Sequence, residues 1–211
     1  MQKTKGRDTR QKVVRRAMDL LYTGGFNATS MNDIVNVTGV KKGNLYFHFN
    51  SKEELGLAVI EEASRQYTIY LKERVKGATY LEKVFSMLNA VMDFHRQRGF
   101  VGGCIFGNTA LEMADRDPRF TEAVKEVFNQ WAAWIERLLD DARKAGELRE
   151  DMDSGKMARH IISSMEGGIM MARTTKNESD IRDTVELLKQ FLQSYKTTKQ
   201  GDGHAEQGSG N

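Results

Sequence analysis

The sequence predicts an all-α protein of about nine helices, and three observations carry that prediction. Pro118 is the one proline among 211 residues, whereas proline punctuates the loops and edges of strand-rich folds. Apolar residues recur at three- and four-residue spacing along most of the chain, the period of a single helix face. Ser, Thr or Asp repeatedly stands ahead of such stretches and Gly behind them, the residue types that cap helix starts and ends.

The first helix is expected over about 9–23, where Val13, Val14, Ala17, Leu20 and Leu21 share a face. Asp8 or Thr9 is available to cap it and Gly24-Gly25 to end it. Ser30 followed by Asp33 has the spacing of a capping box and opens a short helix through Met31, Ile34, Val35 and Val37 that stops at Gly39. A third short helix fits Lys42–Phe47, and the Ser51-x-x-Glu54 box starts a long one from Lys52 to about Lys76. Met87, Leu88, Val91 and Phe94 mark a helix over about 79–98, and Gly99, Gly102 and Gly103 separate it from another at 104–115. Asp117 then Pro118 is a cap with proline at the first helical position; the stripe from Phe120 through Trp131 and Leu139 to Ala142 runs on to Gly146. Two further helices fit 154–174 and 179–196, after which GDGHAEQGSGN is too polar and glycine-rich to fold.

Charge is distributed unevenly. Residues 1–52 hold ten Lys and Arg against three Asp, a net of +7, while the other 22 basic and 26 acidic residues carry −4. A basic first quarter on an acidic body fits a polyanion-binding module joined to something else. The lone Cys104 forms no internal disulfide, and no apolar run reaches the ~18 residues that span a bilayer. MQKTKGRDTR lacks the apolar core of a signal peptide, so a soluble, cytoplasmic protein is expected. His48, His95, His160 and His204 are scattered, and no metal-binding, phosphate-binding or nucleophile motif stands in context; neither enzymatic activity nor a cofactor or metal is expected.

Two short helices joined at Gly39 have the makings of a helix-turn-helix, since glycine tolerates the positive φ of the turn. Ile34, Val35, Val40 and Leu45 fall on the inner faces, leaving Lys41, Lys42, Gly43, Asn44, Tyr46 and His48 for the outer one. Donors and small groups of this kind enter a major groove and contact bases or phosphates. Phe47 reads as a packing residue, and Tyr46 suits packing or DNA equally.

The run from Thr9 to Glu61, above all GVKKGNLYFHFNSKEEL, resembles the DNA-binding domain of the TetR/AcrR repressors. The resemblance implies that Lys42, Gly43 and Asn44 face bases, that Tyr46 and His48 touch the backbone or adjacent bases, and that Lys52 meets phosphate. Ser30 matches the start of the second helix, where a hydroxyl and free amides hold a phosphate. Val35 and Thr38 stand where alanine is usual, and Asn44 replaces a commoner Thr or Ser. The expected organisation is a DNA-binding domain over 1–51, a ligand-binding and dimerisation domain over 52–197, and a disordered tail over 198–211.

Members of that family pair through their last two helices and enclose a small-molecule inducer with the middle ones, so double-stranded operator DNA, an inducer and a second copy are the expected partners. Gly167-Gly168 makes a notch for close helix approach, and Leu187, Leu188, Phe191, Leu192 and Tyr195 supply an apolar face. Candidate ligand-contacting residues are Phe94, Cys104, Phe106, Met113, Phe128, Trp131, Met165 and Met170, because aromatic rings and thioethers make adaptable apolar walls. Glu112 and Glu166 lie in apolar surroundings where a cationic or hydrogen-bonding ligand would suit them, as would a partner within the protein such as Arg173. Cys104 at a helix start is expected to have a lowered pKa, which admits a redox or electrophile sensor as an alternative. A transcriptional activator with the same reading head, and a helical adaptor whose basic face binds acidic partners, are the other readings.

Overall fold

The computed structural model describes residues 2–197, with side chains from Asp8 onward; the expectation for the tail at 198–211 falls outside them. Nine helices occur among the described residues: α1 Gln2–Gly24, α2 Met31–Thr38, α3 Lys42–His48, α4 Lys52–Arg74, α5 Tyr80–Arg96, α6 Ile105–Met113, α7 Pro118–Lys144, α8 Ser154–Thr175 and α9 Ser179–Gln193. The largest departure from the expected boundaries is α1, which begins at Gln2 rather than at an Asp8 or Thr9 cap. The Lys, Gln and Arg residues around those two positions are good helix formers, and no proline stops the helix from running back through them.

Local chemistry accounts for most of the other ends. Ser30 Oγ accepts from the Asp33 amide at 3.2 Å, and the Asp33 carboxylate accepts from the Ser30 amide at 2.8 Å, closing the capping box. The Ser30 hydroxyl and, after it, the Ser30 amide donate to the Asp33 carboxyl and hold it below its usual pKa. Gly39 ends α2 at φ +65°, its amide returning to Val35 O. Thr38 is buried beside that turn, where its hydroxyl donates to Ile34 O and accepts from Val40 N. The Ser51 box is only half made: Ser51 Oγ accepts from Glu54 N, but the Glu54 carboxylate takes the amide and side chain of Asn50 instead of the Ser51 amide. A complete box unforeseen in the sequence, Thr79 with Glu82, starts α5.

Two large apolar clusters, with a small third around Tyr67, Leu71 and Ala90, organise the packing. One joins α1, α2 and α3 to α4, α6 and the first half of α7 around Ile34, Leu45, Phe49, Leu55 and Phe120. The other fills the space among α5, the second half of α7, α8 and α9 around Leu88, Leu139, Ile161 and Leu188. Gly56 lets α4 slip between Phe26 and Phe120, because a Cβ there would stand 2.5 Å from one ring and 2.9 Å from the other. Gly168 does the same for α9, since a Cβ would meet Thr184 Oγ1 at 2.7 Å. Outside this packing, Met171 of α8 and Leu187 and Phe191 of α9 remain exposed on neighbouring helices.

Candidate DNA interface and ligand cavity

The inner side of the helix-turn-helix is closed by Ile34, Leu45 and Phe49, all buried. Leu45 and Phe49 are four residues apart, so a helix as short as α3 has room for no third inward position. Its outer side therefore presents Lys41, Lys42, Gly43 and Asn44, all exposed, with Tyr46 exposed and His48 half-buried beside them. Phe47 departs from expectation: it is 80 % exposed, projecting from the face opposite Leu45 and meeting the His48 ring edge-on at 5.3 Å. Its apolar character suggested packing, but register, not hydrophobicity, decides its direction.

Two residues expected at phosphate are occupied within the protein. The Lys52 ammonium donates to Phe26 O at 3.0 Å and Thr29 O at 3.1 Å and lies over the Phe26 ring. It therefore fastens the α1–α2 loop to α4. The Ser30 hydroxyl donates to Asp33 at 2.6 Å, which places a carboxylate where an anion was expected.

The second feature is a cavity of about 520 Å³ between the end of α1 and helices α4 to α8, within the ~300–1,000 Å³ usual for small-molecule sites. Of the candidate residues, Phe94, Cys104, Phe106, Trp131, Met165 and Glu166 line it. Three candidates do not. Met113 is buried in the cluster that joins α6 to the reading head, Phe128 lies behind Trp131 facing an outer cleft, and Met170 is 57 % exposed on α8. Helical periodicity identified all three as apolar positions without revealing which neighbour each would face.

Sequence reading missed Tyr22, Tyr67, Tyr70, His95 and Trp134, which also line the cavity. The signal was present in Tyr67 and Tyr70, one turn apart on α4. Tyr67 meets Phe94 at 4.9 Å and Trp131 at 5.3 Å, and Trp131 meets Phe106 at 5.2 Å. Tyr22 reaches the wall from α1, held against Gly102, where a Cβ would collide with its ring. The first helix of the reading head thus forms part of the cavity.

Electrostatics inside are those of a desolvated space. Burial pushes His95 down to about 4, with nearby Arg98 adding to the effect, so the ring is neutral at pH 7. Cys104 does cap α6, accepting from Gly107 N at 3.5 Å, yet its thiol is pushed up, not down. Burial is the main cause and the Glu166 carboxylate the next; together they outweigh the amides at the helix start. Glu112 does not meet the cavity: it accepts from Asn27 N at 2.6 Å, and Arg116 donates to Asn27 Oδ1, so the end of α6 grips the α1–α2 loop.

Comparison with known proteins matches residues 13–59 to the family of bacterial regulatory proteins of the tetR type and residues 81–188 to the tetracyclin repressor-like C-terminal domain. A TetR transcriptional regulator from Chloroflexus aurantiacus J-10-FL superposes with a TM-score of 0.84 at 30 % identity, covering 90 % of this chain and 96 % of that one. A second, from Cytophaga hutchinsonii, gives 0.84 at 26 % identity over 92 % and 98 %. Among characterised relatives, the transcriptional repressor DhaR of Mycobacterium sp. (strain GP1) is 23 % identical over 82 % of this chain and 86 % of its own length. NemR, a transcriptional repressor of Escherichia coli K12, is 24 % identical over 69 % and 72 %.

Proposed function

Because the chain belongs to the TetR family of helix-turn-helix transcriptional regulators, we propose that it is a homodimeric repressor that grips a palindromic operator and leaves it when a small molecule fills the cavity. The observation that carries the reading is the outer side of α3, where Lys41, Lys42, Gly43, Asn44 and Tyr46 are exposed above the buried Ile34 and Leu45. Side chains so placed offer charge to phosphates and amide hydrogen bonds to base edges. Residues 1–51 act as the reading head and 52–197 as the sensing and pairing body.

One short helix contacts too few bases to find a site alone, and two-fold pairing doubles the reading surface and sets the half-site spacing at about one DNA turn. The exposed apolar side chains Met171, Leu187 and Phe191 on α8 and α9 supply the pairing face. Repression is favoured over activation by the relatives DhaR and NemR, both named repressors. A cytoplasmic location follows from a DNA target. Cys104 is not given a sensing role, since its thiol is held protonated.

Release follows from how the cavity is built. Tyr22 of the head and Phe94, Trp131 and Glu166 of the body share its walls, and Glu112 at the far end of α6 holds the α1–α2 loop. A ligand that fits the cavity better when the heads are splayed pulls the dimer away from operator spacing.

The test combines capture of sheared genomic duplexes at ~0.15 M salt with sedimentation. The unaltered protein is expected to sediment as a dimer and retain a small set of fragments against excess competitor DNA. Leu187→Arg is expected to sediment as a monomer and lose them. A monomeric unaltered protein, or equal retention of every fragment, contradicts the reading.

A further inference from the structure

The cavity is not uniformly apolar. Glu166 of α8 is seated over Gly107, where a Cβ would stand 2.5 Å from its carboxylate oxygen, so α6 leaves room for that group. It takes a hydrogen bond from the Cys104 thiol, yet no ion pair among the described residues includes it. Arg159, which shares the outer cleft with Glu166, is not paired with it, and Arg173 is bonded to Asn108 instead. Burial accordingly raises the Glu166 pKa, the mark of a carboxyl group without a cation.

Around it stand electron-rich rings. At the rim such rings already hold cations: the Arg98 guanidinium lies 3.7 Å from the centre of Phe94, and the Arg74 guanidinium 3.8 Å from that of Tyr70. Deeper in, Trp131 meets Tyr67 at 5.3 Å and Phe106 at 5.2 Å, and all three share the cavity with Glu166. The charged side chains facing the space are Asp19, Arg98 and Glu166, a net of one negative charge when all are ionised.

We propose that the inducer is an organic cation, whose quaternary or protonated nitrogen seats against Glu166 among Tyr67, Phe106 and Trp131 while an apolar, ring-bearing body fills the remaining volume. The ring faces attract the cation through their quadrupoles, and a water-poor site strengthens that attraction. Glu166, ionised against the cation, supplies an opposite charge that a neutral molecule of the same shape does not engage. This rests on the reading of the cavity as the inducer site.

A matched pair of probes tests it: para-phenylbenzyl trimethylammonium and its uncharged carbon isostere, para-neopentylbiphenyl, titrated against the full-length protein by quenching of Trp131 and Trp134. The cation is expected to bind at least about tenfold more tightly. In Glu166→Gln that advantage is expected to fall severalfold, to what the rings alone supply, while the isostere binds no more weakly than before, which also shows the variant to be folded. Equal affinity for the two probes, or an advantage undiminished in Glu166→Gln, overturns the proposal and leaves the cavity a ligand site. Failure of both probes to quench overturns the cavity reading as well.

Discussion

His95 is buried on α5 with its Nδ1 3.5 Å from the Tyr22 hydroxyl, and its pKa is pushed down to about 4 from an ordinary 6.5. The unfolded chain therefore binds a proton between those values that the folded protein refuses. Its contribution to stability is complete above pH 6.5 and is lost as pH falls toward 4, amounting to on the order of 3 kcal/mol. Denaturant midpoints of the unaltered protein are expected to fall across that interval more steeply than those of His95→Gln; parallel profiles would remove the assignment. Residue by residue, the sequence shows chemistry better than direction. Lys42 and Asn44 could be read as outward because the short helix has few inward positions. Phe47 and Lys52 could not, because one is set by register and the other by carbonyls of a distant loop.

At the scale of elements, glycine decides how closely helices approach. Gly56 is the sharpest case, since both rings it accommodates are buried, Phe26 belonging to the reading head and Phe120 to α7. Gly56→Ala gains ~1 kcal/mol of helix propensity, but buried rings have nowhere to retreat and overpacking costs ~1–3 kcal/mol. A net loss of up to about 2 kcal/mol is expected in chemical denaturation; a more stable variant would show that α4 has slack at this point. The helices themselves were legible, since caps and periodicity act within a few residues of one another. What periodicity lacked was the partner of each face, so Met113 and Phe128 were rightly apolar and wrongly assigned to the cavity. Tyr22 escaped because α1 lies in the expected reading head, and Tyr67 because spacing along α4 does not say which neighbour each of its faces meets.

Taken as a whole molecule, the chain places an outward reading helix, a largely apolar cavity and an exposed apolar face on one scaffold, with α1 and α6 shared between the first two. The proposed switch acts through that sharing: a ligand in the cavity meets Tyr22 of α1 directly, with no need for a long relay. Charge asymmetry pointed to such a division of labour, since the basic first quarter and the acidic remainder correspond to the head and body. The arrangement was not fully legible because pairing and cavity walls depend on contacts between residues far apart in sequence. Selection from a pool of random duplexes by the full-length protein tests the central claim most directly. It is expected to enrich a two-fold-symmetric sequence with half-sites about one helical turn apart, and Asn44→Ala is expected to relax the preference at one position per half-site, at ~1–3 kcal/mol. Enrichment of no sequence, or of a site without symmetry that Asn44→Ala reads equally well, would contradict it.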